Sequence, residues 1–178
     1  MDDCVLVDKK YGFFERRTVE KIRGFFPLAD VMSVLKRREA REMVLGLLFE
    51  SEFRTDESYV EIYATSAEER LIPDDPFIKT AYYTISENRE WIDGVIGEHA
   101  HGWKTSRLSK MSRSILRLAI YEMLYVTEIP YSVSINEAVE MSKIYDDPKA
   151  RAFVNGVLNS VKNSLESEAA PEADGKDV

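Results

Sequence analysis

Apolar residues recur at intervals of three and four along most of the chain, and each such run predicts an amphipathic helix. Leu35, Val44, Leu47 and Leu48, widened by Met43 and Leu45, predict a long helix over 34–53. A weaker helix over 58–70 centres on Tyr59, Ile62 and Tyr63. Asp75-Pro76 is an N-cap followed by proline at the first helical position. The helix it opens runs to about His99 on Phe77, Tyr83 or Ile85, Ile92, Val95 and Ile96; Gly102 breaks it and Trp103 anchors the turn. Residues 105–127 hold a short helix and then a longer one, with Leu108, Met111, Ile115, Leu118, Ala119 and Glu122 at helical spacing. Ile120, Met123 and Leu124 widen its apolar side so far that this helix should be central, and Pro130 ends it. Ser134-Ile-Asn-Glu137 fits a capping box and predicts a helix to about Tyr145. Asp147-Pro148 repeats the cap-plus-proline signal before a last helix striped by Phe153, Val157, Val161 and Leu165, with Val154 and Leu158 beside it. No segment alternates as a strand, so the expected class is all-α.

Two segments lie outside this pattern. Residues 1–31 read as an N-terminal extension, poorly ordered, with one short amphipathic stretch from Thr18 to Phe25. Residues 167–178 read as a disordered acidic tail. The helical domain between them is 32–166.

Composition narrows the function. The chain has 178 residues and a net charge of −8, so a generic basic nucleic-acid coat is excluded and any such role needs a local basic patch or a partner. Cys4 is the single cysteine, so no intramolecular disulfide forms and nothing suggests secretion. The start, MDDCVLVDKK, has no signal-peptide character, and no run of about 18 apolar residues predicts a membrane helix. A cytoplasmic protein is expected. No phosphate-binding glycine loop and no nucleophile elbow is present. The two histidines, His99 and His101, lack a cysteine pair, so neither a metal nor another cofactor is expected. Nine acids between Glu50 and Asp75 read as a solvated face rather than a catalytic cluster. Nothing requires an enzyme.

Two basic features remain. Lys36-Arg37-Arg38-Glu39-Ala40-Arg41 opens the first long helix, with Arg37 and Arg41 four apart on one face and Phe49 two turns beyond Arg41. Arginine forks suit phosphates and base edges, and single-stranded RNA also needs an aromatic to stack on. The alternative is a solvated cationic turn. The second feature is Lys104, Arg107, Lys110, Arg113 and Arg117, uninterrupted by acids. It tracks phosphates or forms a solvated face paired with the acidic Glu57–Glu69 helix; both readings stay open.

Three ordered blocks now carry a resemblance. They are Arg37-Arg-Glu-Ala-Arg-Glu42 with Leu47-Leu-Phe49; Ser114 to Met123 with Ile129 to Val139; and Phe153-Val-Asn-Gly-Val-Leu158. Over about 33–165 the chain resembles the NusB family of bacterial transcription antitermination factors. The resemblance implies two small helical bundles packed together, about seven helices in all. It also implies binding of the boxA element in ribosomal RNA leader transcripts, as a heterodimer with NusE, a small-subunit ribosomal protein. Other Nus factors and RNA polymerase would join that complex, and homodimers occur in the family. Arg37, Arg38 and Arg41 fall on the family's RNA-binding start. Phe49 falls where many members have tyrosine and keeps the π face without the hydroxyl; Phe153 falls on an aromatic near the RNA. Lys36, Lys110 and Arg113 are possible additional contacts. Asn136 and Glu137 are expected to cap, and Asn155 and Gly156 to serve helix packing.

The chain departs from the family in the 31 residues before Met32, where members usually begin. These are expected to be a lineage-specific arm or an upstream, non-native start. Two rival functions remain: a helical interaction scaffold with no RNA role, and a stand-alone relative of the NusB-like domain fused to RNA cytosine methyltransferases.

Overall fold

The computed structural model describes residues 36–100 and 108–169. Seven helices account for most of them: α1 Arg37–Ser51, α2 Tyr59–Glu69, α3 Pro76–Glu87, α4 Arg89–His99, α5 Lys110–Tyr125, α6 Tyr131–Tyr145 and α7 Ala150–Ala169. No strand occurs among the described residues. Helices α1–α3 form one small bundle and α4–α7 a second. The expectations for residues 1–31, Leu35, His101, Gly102, Trp103, Lys104 and Arg107 fall outside the described residues, as does the tail from residue 170. The last helix runs to Ala169, three residues beyond the expected domain limit.

Helix α5 is central because it is apolar almost all round. It packs on α1, α3, α4, α6 and α7. Every residue from Ser114 to Met123 is buried, including Ile115, Leu116, Leu118 and Ile120. Leu116 is fully buried, so truncating it to alanine costs about 2–5 kcal/mol. Helix α1 contributes Val44, Leu47 and Leu48 to the same core, and α7 contributes Phe153, Val154, Val157, Leu158 and Val161.

Side-chain caps explain several of the helix starts. The Asp75 carboxylate accepts from the backbone N–H of Phe77 and Ile78 at 2.8 and 3.2 Å, with Pro76 at the first position. Asp147 accepts from Lys149 N–H at 2.8 Å before α7. Ser58 and Glu61 form a reciprocal capping box at the start of α2.

Two expectations need correction. The single helix expected from Pro76 to His99 is two, divided at Asn88. Its side-chain amide donates to the Thr84 carbonyl at 2.7 Å and competes with the backbone, which ends α3 and lets α4 restart. The box at Ser134 and Glu137 does not open α6. That helix begins at Tyr131, one turn earlier, because Pro130 already sets an extended entry. Ser134 is therefore in the second turn, 1% exposed, and its hydroxyl has no hydrogen-bond partner.

Candidate nucleic-acid interface

The start of α1 presents its cations to solvent. Lys36, Arg37 and Arg38 are all exposed. The Arg37 guanidinium lies 4.2 Å above the Phe77 ring, and Arg38 stands 3.6 Å from Glu42 one turn on. Glu39 accepts from the Lys36 backbone N–H at 3.2 Å. A helix N-terminus carries the positive end of the helix dipole, so cations here are disfavoured by about 0.3–1 kcal/mol each. Glu39 and Glu42 offset part of that cost. Cations held where the helix disfavours them are suited to a polyanion that supplies the missing charge.

Arg41 does not share that surface. It is 4% exposed, its Nε donates to Glu122 Oε1 at 2.7 Å, and its Nη1 lies 3.5 Å from Glu137 Oε2. The expectation that Arg41 reaches RNA with Arg37 and Arg38 is corrected by this burial. Four residues after Arg37, the helix has turned Arg41 slightly further round, onto the seam with α5 and α6. Glu137 is likewise an ion-pair partner rather than a cap. The signal for this pair was present: Glu122 sits on the apolar stripe of α5, and a buried carboxylate demands a cation.

The far end of α1 gathers the aromatics. Phe49 is half-buried and meets Phe53 edge-on, with ring centroids 5.1 Å apart. By helical arithmetic Phe49 returns to the side of Arg38, about 16 Å along the axis. Lys110, at the start of α5, places its ammonium 3.7 Å from the Phe53 ring centroid and donates to the Glu52 carbonyl at 2.6 Å. Phe153 is buried, so its ring faces the packing rather than solvent. Asn155 and Gly156 are exposed, and a Cβ at Gly156 would meet nothing within 4 Å, so the expected packing role is not what α7 shows.

The second basic feature is largely a structural network. Arg117, 2% exposed, binds Asp93 through two hydrogen bonds of 2.7 Å and Glu52 through one of 2.6 Å. Burial opposes its charge, but the bonds to Asp93 and Glu52 prevail and raise its pKa above the ordinary value. Arg89 and Arg113 reach the same Glu52 at 2.6 and 3.5 Å. Neither expected reading, phosphate tracking or pairing with Glu57–Glu69, describes Arg117. The nine-acid stretch is also not uniformly solvated, because Glu52 is buried at this hub. A cavity of about 190 Å³ beside it is lined by Arg54, Arg89 and Arg117. All three are paired with carboxylates, so it offers no free charge to an anion. Among the described residues no group of His, Cys, Asp and Glu is arranged to hold a metal ion, and no helix is long and apolar enough to cross a membrane. His99 Nδ1 stands 2.9 Å from Ser160 Oγ, joining α4 to α7.

Comparison with known proteins gives a consistent result. The model of the NusB family matches residues 38–163. A transcription antitermination protein NusB of Bacillus pumilus is 39% identical over 135 residues, which are 75% of this chain and all of that protein. Its counterpart from Ruminiclostridium cellulolyticum is 41% identical over 143 residues, 79% of this chain and 99% of that protein. Among solved structures, NusB of T. maritima superposes with a TM-score of 0.65 at 34% identity, covering 77% of this chain and 94% of that one. A crystal structure of antitermination factors NusB and NusE with double-stranded RNA gives a TM-score of 0.63 at 27% identity, covering 72% of this chain and 96% of that one.

Proposed function

The chain belongs to the NusB family, and on that premise we propose that it is a transcription antitermination factor that binds boxA RNA of ribosomal RNA leaders together with NusE. The observation that carries this reading is the exposed Lys36-Arg37-Arg38 turn on a helix otherwise locked into the core. The helix fixes the backbone that carries the arginine forks, so only their side chains remain to be ordered on phosphates and base edges. Phe49, on the same side of α1, offers a ring for a base.

The protein acts by binding and positioning rather than by catalysis, in the cytoplasm where RNA polymerase works. Its net charge of −8 limits its own affinity for RNA. A basic partner such as NusE completes the RNA surface, so the two should bind RNA cooperatively. The complex then joins other Nus factors on RNA polymerase and lets it read through terminators.

Fluorescence anisotropy of a labelled boxA-like RNA, with and without NusE from the same organism and beside a scrambled RNA, tests this. Affinity should rise with NusE and fall on scrambling. Equal binding of the two RNAs would defeat the reading and favour a scaffold that binds proteins alone.

A further inference from the structure

We propose that Phe53, backed by Phe49 and crossed by Lys110, is a stacking platform for an unpaired RNA base. It would extend the RNA surface past the end of α1. The inference rests on the RNA-binding reading above and adds to it a residue and a direction for the strand.

Phe53 is 60% exposed just after the last turn of α1. A phenylalanine left in water makes no contribution to the core, yet this one is held in place from two sides. Phe49 meets it edge-on at 5.1 Å, and the Lys110 ammonium lies 3.7 Å from its centroid. Lys110 is itself fixed by the Glu52 carbonyl at 2.6 Å, which takes one of its three donors. The Glu52 carboxylate is occupied with Arg89, Arg113 and Arg117, so Lys110 is not neutralised by it.

This arrangement permits an exchange. A cation over an exposed ring is a weak contact, and base–aromatic stacking is stronger. An arriving base can displace the ammonium from the ring, and the ammonium then meets the adjacent phosphate. The path runs from Arg37 and Arg38, along α1 to Phe49, and on to Phe53 and Lys110. A single strand suits it, because bases in a duplex do not offer their faces.

The test uses the full chain with NusE and a labelled boxA-like RNA carrying 5-iodouridine at successive positions. Phe53→Ala should weaken RNA binding about tenfold, while Phe53→Trp keeps it. Lys110→Ala should weaken it less and lower the salt slope by about 0.7. Photocross-linking should place one iodouridine on the peptide holding Phe53. If Phe53→Ala perturbs the thermal melt, Phe53→Leu replaces it, since leucine keeps the bulk and loses the π face; it too should bind weakly. Unchanged affinity in Phe53→Ala beside a loss in Arg38→Ala would overturn the platform and leave the RNA function standing. Loss of NusE binding without RNA would instead assign Phe53 to a protein interface and overturn the proposal. No RNA binding by the unmodified pair would remove both readings.

Discussion

The basic starts of α1 and α5 are alike in sequence and different in use. Each begins with exposed cations, Lys36 to Arg38 in one and Lys110 in the other, and each ends in a buried arginine, Arg41 or Arg117. In α5 the cations converge on one acid, because Lys110 holds the Glu52 carbonyl and Arg113 and Arg117 hold its carboxylate. In α1 only Arg41 is tied inward, to Glu122 and Glu137. Arg37 and Arg38 rest on a ring and on a neighbouring half-buried acid. A cation committed to a buried acid is structural, and one held loosely at the surface stays available to a polyanion.

The largest effect should come from the α5 network. Arg117→Ala removes the buried cation that joins Glu52 to Asp93 and leaves Glu52 only Arg89 and Arg113, which costs about 3–5 kcal/mol of stability. Urea unfolding followed by circular dichroism would measure it. A loss below about 1 kcal/mol would mean that the network is solvated in solution. Arg41→Ala should follow at about 3 kcal/mol, because Glu122, 1% exposed, loses its hydrogen-bonded partner. Replacing both Arg41 and Glu122 with methionine should recover part of that loss, since a packed apolar pair needs no compensation while Glu137 still loses its cation. RNA affinity in that double variant separates anchoring from contact: retained binding makes Arg41 an anchor of α1.

Arg37→Ala with Arg38→Ala should do the reverse. Stability should move by no more than about 0.5 kcal/mol, while RNA binding weakens by roughly 1–3 kcal/mol for each arginine that reads a base edge. The dependence of log K on log salt should also flatten by about 0.7 per lost phosphate contact. An unchanged slope would remove the α1 turn from the RNA surface.

The difference between these arginines was only partly legible in the chain. Helical spacing located α1, α5 and α7 by their long apolar stripes and α2 by a shorter one, and the cap-plus-proline signals at Asp75 and Asp147 located the starts of α3 and α7. The central position of α5 followed from the width of its stripe. Arg41 was misplaced because a four-residue step from Arg37 suggests a shared face, yet the arc of α1 between exposed and buried is narrower than the step's 40° drift. Glu122 carried the missing information, being an acid on an apolar stripe 81 residues away in sequence. Pairings that distant are set by how helices dock and are not written in local spacing. The Asn88 break escaped for a similar reason: asparagine is tolerated within helices, and only its bond to Thr84 shows which role it takes here.

The smallest effect sharpens what lies behind the α1 turn. Arg37 rests on Phe77, Phe77 stands 6.4 Å from Tyr121, and Tyr121 stacks on Tyr125 at 5.5 Å. Burial pushes the phenol of Tyr121 well above its ordinary pKa, with Glu122 adding to the shift and Arg37 opposing it. Burial does the same to Tyr125, with Tyr121 contributing. Unfolded tyrosine ionises near about pH 10, so the folded state holds these protons more tightly. Their contribution to stability is therefore complete below about pH 10 and is lost as pH rises toward the folded values. Absorbance at 295 nm should show the two phenols ionising only as the protein unfolds in alkali. Tyr121→Phe with Tyr125→Phe should make unfolding less dependent on pH above 10, because phenylalanine has no proton to lose. Early ionisation of both phenols in the folded protein would show that the stack is open to water, and the α1 turn would then lack the rigid backing that separates it from the α5 start.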